Sequence, residues 1–343
     1  VSLAVNLAAS PAWLPHSIDE PGDRLLFAHL TADQYRTASF LDGRLLGPQV
    51  KTQWVPFTDV LAALPPPRPL HAIFHIGHVG STLISRLLGE VPGLFAMREP
   101  AALRTLAEYR DAPEAWTTPA QHAARLEACL TLWSRTWTPE QTALLKATSF
   151  ASELAPAFLA RPGTRALLLS VRPETYLATI LAQDGNRAEA TTLAPARIAR
   201  LNARLGEPAF RLAGMREGER IAMAWACESA SLAAARRPAS LAVDFDTFLA
   251  RPAEVLARAA AHLGGALTPA EVDRLVTGPL TTRYAKGPEH AYSAGLRAQM
   301  LAQARAEHGA AIAAGMAWLE RAAPSLSAPS TSAPAPAAPA ERA

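Results

Sequence analysis

The chain has 343 residues, room for a large α/β domain with additions. Half of the residues are hydrophobic and 18% are charged, a globular rather than a disordered composition. The net charge of +3, from 33 basic and 30 acidic residues, provides no broad field for nucleic acid or an anionic membrane, so an anionic partner needs a local site.

In chain order, Val1 to Pro11 is mildly apolar without a preceding positive region, and no signal peptide is expected. Residues 1–70 read as a leading module. Apolar and charged positions alternate from Leu25 to Leu46, and Pro65-Pro66-Pro67 closes the module as an extended linker. His71 to Ile76 is a short apolar strand, followed by a glycine turn and a helix over 81–89 with Leu83, Ile84, Leu87 and Leu88 on one face. Further strands are predicted at Leu94–Met97, Ala143–Leu145, Ala166–Val171 and Leu241–Val243. Helical patterns cover 119–135, 151–160, 173–183, 194–205, 216–236, 252–276 and 292–322. Strands alternating with helices predict an α/β fold with a central parallel sheet flanked by helices. Residues 323–343, almost all Ser, Pro and Ala, have no side chains able to build a core and read as a disordered tail. No apolar run reaches the roughly 20 residues of a membrane helix.

Cys129 and Cys227 are far apart and match no metal spacing, so they read as buried thiols in a cytoplasmic protein. The histidines at 75, 122, 262, 290 and 308 show no ligand spacing, and no metal site is expected.

The strongest local signal is Gly77-His78-Val79-Gly80-Ser81-Thr82, between the first apolar strand and its helix. Glycines let the backbone turn over an anion, amides of the first helical turn point at it, and the Ser81 and Thr82 hydroxyls add donors. It is not a Walker loop: that motif, counted from Gly77, needs Gly at 82 and Lys at 83, where the chain has Thr82 and Leu83. Asp244, ending a strand, could serve as a metal-binding aspartate, which leaves a kinase reading open. Arg172 stands at the end of the Ala166–Val171 strand, where parallel sheets bind ligands, and its planar fork suits a phosphate.

The Gly80-Ser81-Thr82 segment resembles the 5′-phosphosulfate loop of the sulfotransferases, usually Arg/Lys-Ser-Gly-Thr/Ser-Thr. His78 stands in place of the basic residue and Val79 in place of Ser. Arg172-Pro173 and Thr179 resemble the family's 3′-phosphate site, with one residue fewer between Arg and Pro. Val243-Asp244-Phe245, Phe248-Leu249, Arg251-Pro252 and His262-Leu263-Gly264 resemble a structural marker of the family, and the three segments span about 71–265 in the family's order. The resemblance implies a P-loop-like three-layer fold and transfer of a sulfuryl group from 3′-phosphoadenosine 5′-phosphosulfate, PAPS, to an acceptor hydroxyl. It implies donor contacts from Gly77, Val79, Gly80, Ser81, Thr82, Arg172 and Thr179. Glu99 matches the family's catalytic carboxylate and would be the base. Lys146, ending the third strand, and His78 would support the leaving phosphosulfate. Lys286, in Tyr284-Ala285-Lys286-Gly287, matches a late basic loop over the nucleotide.

Arg98 and Arg104 are further candidates to contact an acidic acceptor or the donor. The acceptor is expected to be a small molecule, glycan or peptide bearing a hydroxyl. The rival readings are an atypical P-loop kinase and a nucleotide-binding module without catalysis.

Overall fold

A computed structural model describes residues 3–111, 117–285, 287 and 291–327 of the chain. Lys286, His290 and the part of the predicted tail from residue 328 lie outside the described residues. Contacts group the chain into two compact units, Val1–Arg172 with Ser231–Met300, and Pro173–Ala230 with Leu301–Ala343. Residues 1–70 fall within the first.

The first unit contains both sheets. The leading segment forms an antiparallel sheet of β1 (Trp13–Asp19), β2 (Arg24–His29) and β3 (Thr52–Pro56), in that order. The register of β1 shifts between Pro15 and Ser17, a bulge at the fully buried His16. This segment is tied down by later residues. The Trp133 indole donates to the Pro15 carbonyl at 3.0 Å, and the buried Arg135 guanidinium donates to the carbonyls of Leu7, Ser10, Trp13 and Leu132.

The second sheet has five parallel strands: β4 (Leu70–His75), β5 (Leu94–Arg98), β6 (Thr142–Lys146), β7 (Ala166–Ser170) and β8 (Ser240–Asp244). Their order is β5-β6-β4-β7-β8. Every residue of β4 and β5 is buried, which requires cover on both faces and explains why these strands read as unbroken apolar runs. The helices Ser81–Gly89 and Pro252–His262 pack on the sheet and on each other. The helix Ala155–Leu159 packs on β4, where Phe158 meets Phe74 edge-on at 5.1 Å.

Several predicted boundaries need correction. The pattern at 252–276 is two helices, Pro252–His262 and Pro269–Thr277. Gly264, at φ 83°, closes the first, and a capping box of Thr268 and Glu271 opens the second. The segment at 151–160 begins as a 3-10 turn, Ser149–Leu154, before the α-helix. The last helix runs from Ala294 to Ser327 with a break at His308, so helix covers the first residues assigned to the tail.

The second unit is helical, with Pro173–Leu181, Asp184–Leu205 and most of Glu217–Ala234. The Arg197 guanidinium donates to Glu228 at 2.9 Å, with both side chains buried. Burial works against Arg197's charge, but the Glu228 carboxylate outweighs it and holds the guanidinium above its ordinary pKa. Gly218 and Gly315 permit close helix contact. A Cβ on Gly218 would meet the Ala311 carbonyl oxygen at 1.8 Å, and one on Gly315 would meet Leu177 at 2.3 Å.

Candidate functional site

The candidate site lies at the C-terminal edge of the parallel sheet, in the first unit. β4 is the central strand and delivers the chain into Gly77–Thr82. The loop is left-handed at Gly77 (φ 92°), His78 (φ 53°) and Gly80 (φ 64°). Gly80 is the N-cap of the helix Ser81–Gly89, and a Cβ there would fall 2.0 Å from the Phe245 ring. Glycine is therefore needed for conformation and for space. Behind the loop, His75 accepts from the Gly77 amide at Nδ1 (3.0 Å), so its Nε2–H donates to the Ala147 carbonyl at 2.8 Å. That imidazole joins the end of β4 to the residue following β6.

Val79 is fully buried, so the position offers an anion only its backbone. His78 is half-buried. Ser81 and Thr82 are buried at the helix start, and the Thr82 Oγ1 makes no hydrogen bond among the described residues. A buried hydroxyl without a partner is uncommon in a folded protein and fits a site that completes its bonding with a ligand.

On the β6 side of the loop, Lys146 ends its strand opposite Arg98 of β5, which places Glu99 beside it. The Lys146 Nζ and the Glu99 Oε1 form an ion pair, and the Glu99 amide donates to the Lys146 carbonyl at 2.8 Å. The Lys146 side chain is 1% exposed and that of Glu99 18%. Glu99 is also left-handed (φ 53°). Among the described residues, two of the three non-glycine residues with positive φ are thus the predicted catalytic residues His78 and Glu99, and strain of this kind clusters at functional sites. The family resemblance implies that Glu99 and Lys146 act at opposite ends of a reaction; the structure brings them into contact.

Arg98 has a different role from the one expected. Its buried guanidinium donates to the carbonyls of Tyr35, Ala38 and Arg36, the last two at 2.8 and 2.9 Å, and so closes the end of the helix Ala32–Thr37. Burial lowers its pKa to about 10, aided by the nearby Arg86 charge and opposed by Glu90. Arg104 donates to Glu108 at 2.7 Å and lies over the Phe150 ring. The buried Arg98 guanidinium, spent on backbone carbonyls, is not free to take an anionic substrate in this arrangement.

On the β7 side, Arg172 is 77% exposed and its Nε stands 3.8 Å from Asp246. Arg297, which the sequence reading passed over, donates to the same carboxylate at 3.1 Å and lies 5.2 Å from the centroid of the Phe245 ring that covers Gly80. Nothing local in the sequence marks Arg297; it reaches the site from a helix more than 200 residues beyond the loop. Asp244 caps the helix Phe245–Ala250, accepting from the Thr247 amide (2.7 Å) and hydroxyl (2.9 Å) on one oxygen. Thr179 belongs to the second unit, on the helix Pro173–Leu181, where its hydroxyl donates to the Thr175 carbonyl at 2.7 Å.

His75, His122 and His262 hydrogen-bond to backbone carbonyls, as structural histidines do. Among the described residues, no group of three or more His, Cys, Asp or Glu side chains is placed to hold a metal ion, and no helix is long and apolar enough to cross a membrane.

No protein-family model matches the chain, and no curated protein matches it in sequence. Three of the solved structures that the chain is similar to are sulfotransferases. The sulfotransferase domain from the curacin biosynthetic pathway is 12% identical, aligned over 71% of this chain and 99% of that one, with a TM-score of 0.41. A sulfotransferase from Alicyclobacillus acidocaldarius is 16% identical over 75% of this chain and 96% of its own, with a TM-score of 0.37. The sulfotransferase domain from the Synechococcus PCC 7002 olefin synthase is 12% identical over 70% and 88%, with a TM-score of 0.38.

Proposed function

We propose that the protein is a sulfotransferase that moves a sulfuryl group from PAPS to an acceptor hydroxyl. The observation that carries this reading is a left-handed glycine loop at the end of the central strand, without a Walker lysine, beside a lysine–glutamate pair on the neighbouring strand ends. Sulfuryl transfer needs donors at an oxygen that gains charge and a base for the acceptor proton, and these residue types meet both needs.

In this reading the amides of Gly77–Thr82 and the hydroxyls of Ser81 and Thr82 bind the 5′-phosphosulfate, and Arg172 anchors the 3′-phosphate. Glu99 takes the acceptor proton as the acceptor oxygen bonds to sulfur. Lys146, with His78, steadies the phosphate oxygen that departs with the electron pair of the broken S–O bond. The ion pair gives this a sequence of events. Before substrates arrive, Lys146 and Glu99 are paired with each other. Lys146 then turns to the leaving oxygen, which frees Glu99 to act as a base.

The kinase alternative is weakened by the loop itself, which has Thr82 and Leu83 where a Walker loop needs Gly and the phosphate-bridging Lys. Calorimetric titration with 3′,5′-adenosine bisphosphate, without magnesium and with ATP–Mg²⁺ as control, tests the proposal. Low-micromolar binding of the bisphosphate is expected. Binding of ATP–Mg²⁺ alone would overturn the reading, and bisphosphate binding with no transfer to any of a panel of phenols and sugars would reduce it to a nucleotide-binding module.

A further inference from the structure

The leading segment reaches the candidate site through residues 37–46, and its placement there is fixed from several sides. The Leu41 amide donates to the Arg98 carbonyl at 2.8 Å, next to Glu99, while the Arg98 guanidinium holds the carbonyls of residues 35, 36 and 38. Arg86 donates to the Thr37 carbonyl (3.0 Å) and the Ser39 hydroxyl (2.8 Å), and Ser39 donates to the Ala285 carbonyl at 3.2 Å. Leu41 is fully buried.

From this anchored segment, Phe40 meets two cations. The Arg44 guanidinium carbon is 3.6 Å from its ring centroid and the Lys146 Nζ is 5.9 Å away, so the sum of these distances bounds the separation of the two charges. Arg44 is also fixed in orientation. Asp42 accepts from its backbone amide at 3.0 Å and takes Nε and Nη2 on one edge of the guanidinium, leaving Nη1 without a hydrogen bond among the described residues. The side chain is nonetheless 63% exposed. The Asp42 hydrogen bond raises its pKa against the effect of burial, and the geometric link from Arg44 to Glu99 runs through the Phe40 ring and Lys146.

We infer that Arg44, delivered by the leading segment, selects acceptors whose hydroxyl stands close to an anionic group: a carboxylate, phosphate or sulfate. This deepens the sulfotransferase reading and rests on it for the identity of the reaction. An acceptor hydroxyl brought to Glu99 must come near Arg44, whose free edge is a fixed, charged fork suited to planar or tetrahedral oxyanions. An anionic acceptor is otherwise repelled by a donor of the same sign, and a fixed cation at the entrance offsets that repulsion.

The test uses the full chain loaded with 3′,5′-adenosine bisphosphate and two matched pairs of probes: 4-hydroxybenzoate with its methyl ester, and glucose 6-phosphate with glucose. Affinities are measured by ligand-observed NMR for wild type, Arg44→Gln and Arg44→Lys, with thermal unfolding to show that each variant folds. At least one anionic probe should bind wild type about tenfold or more tightly than its neutral partner, and the pair that does so identifies carboxylate or phosphate as the preferred group. Arg44→Gln should remove the preference by weakening the anion alone, and Arg44→Lys should keep part of it. Equal binding within both pairs, no binding of either anion, or a preference that survives Arg44→Gln would each overturn the inference. If the bisphosphate fails to bind but the anion preference is present and depends on Arg44 in the nucleotide-free protein, the sulfotransferase reading is lost and the anion site stands.

Discussion

Truncating the two partners of the Lys146–Glu99 pair should have unequal effects, because their burial is unequal. Lys146 is 1% exposed, so Glu99→Ala strands an ammonium group that water cannot reach without disturbing the end of β6. Removing one partner of a buried pair typically destabilises by about 3–5 kcal/mol. Glu99 is 18% exposed, so after Lys146→Met its carboxylate can turn toward water, and the loss should be about 1–2 kcal/mol, the range of a partly solvated charged hydrogen bond. The double variant should be more stable than Glu99→Ala alone, since it removes the stranded charge. Urea unfolding of the four proteins, with slopes compared to confirm a common transition, gives the three differences and the coupling between them. Equal losses for the two single variants, or a strictly additive double variant, would refute the pairing and with it the proposed hand-over of Lys146 from Glu99 to the leaving oxygen.

Thr82→Val should leave stability unchanged or slightly raised in urea unfolding, because it removes a buried hydroxyl with no partner, yet it should weaken bisphosphate binding in calorimetry by about tenfold. Gly80→Ala should lower stability by about 1–3 kcal/mol through the clash with Phe245 and the left-handed backbone, and Phe245→Ala should recover part of the loss in the double variant, read by thermal unfolding. His71, buried and accepting from the Arg165 amide at Nδ1, has its pKa pushed down to about 4, chiefly by burial. The unfolded chain therefore takes up a proton near pH 6.5 that the native state refuses. His71 thus withdraws stability as pH falls from about 6.5 to about 4, about 3 kcal/mol over the whole window, with no further loss below it. Urea midpoints across that range should be flatter for His71→Phe.

The sheet was legible because β4 to β7 are buried along almost their whole length and so appear as short, largely apolar runs bounded by Gly, Pro or charge. The loop was legible because a left-handed turn selects glycine, which marks Gly77 and Gly80 in any reading. The division at 263–268 was also written in the sequence, in Gly264-Gly265 and the Thr268–Glu271 box, but the apolar periodicity on either side obscured it. The Lys146–Glu99 pair could not be read locally: its members are 47 residues apart and meet only through the register of β5 and β6. For the same reason Arg98 looked like a ligand. An arginine that satisfies three backbone carbonyls looks no different in sequence from one that waits for a phosphate. Arg44 and Arg297 reach the site from opposite ends of the chain and carry no motif at all.

In the proposed reading, the clamp made by His75 bears on the thermodynamics of nucleotide capture. A loop with three left-handed residues in four would, if free, sample many other shapes, and a ligand would have to select the rare one. Here the imidazole fixes the Gly77 amide from below and the Phe245 ring closes over Gly80 from above, so folding itself has already met the ordering entropy. Binding to such a loop should proceed with little reorganisation, and its free energy should reflect the contacts made by the phosphate rather than the work of shaping a receptor. His75 also links the loop to Ala147, one residue past Lys146. In the proposed reading a disturbance at a bound phosphate would thus be felt at the end of β6, because His75 gives the glycine loop and the lysine of the neighbouring strand a common mechanical frame.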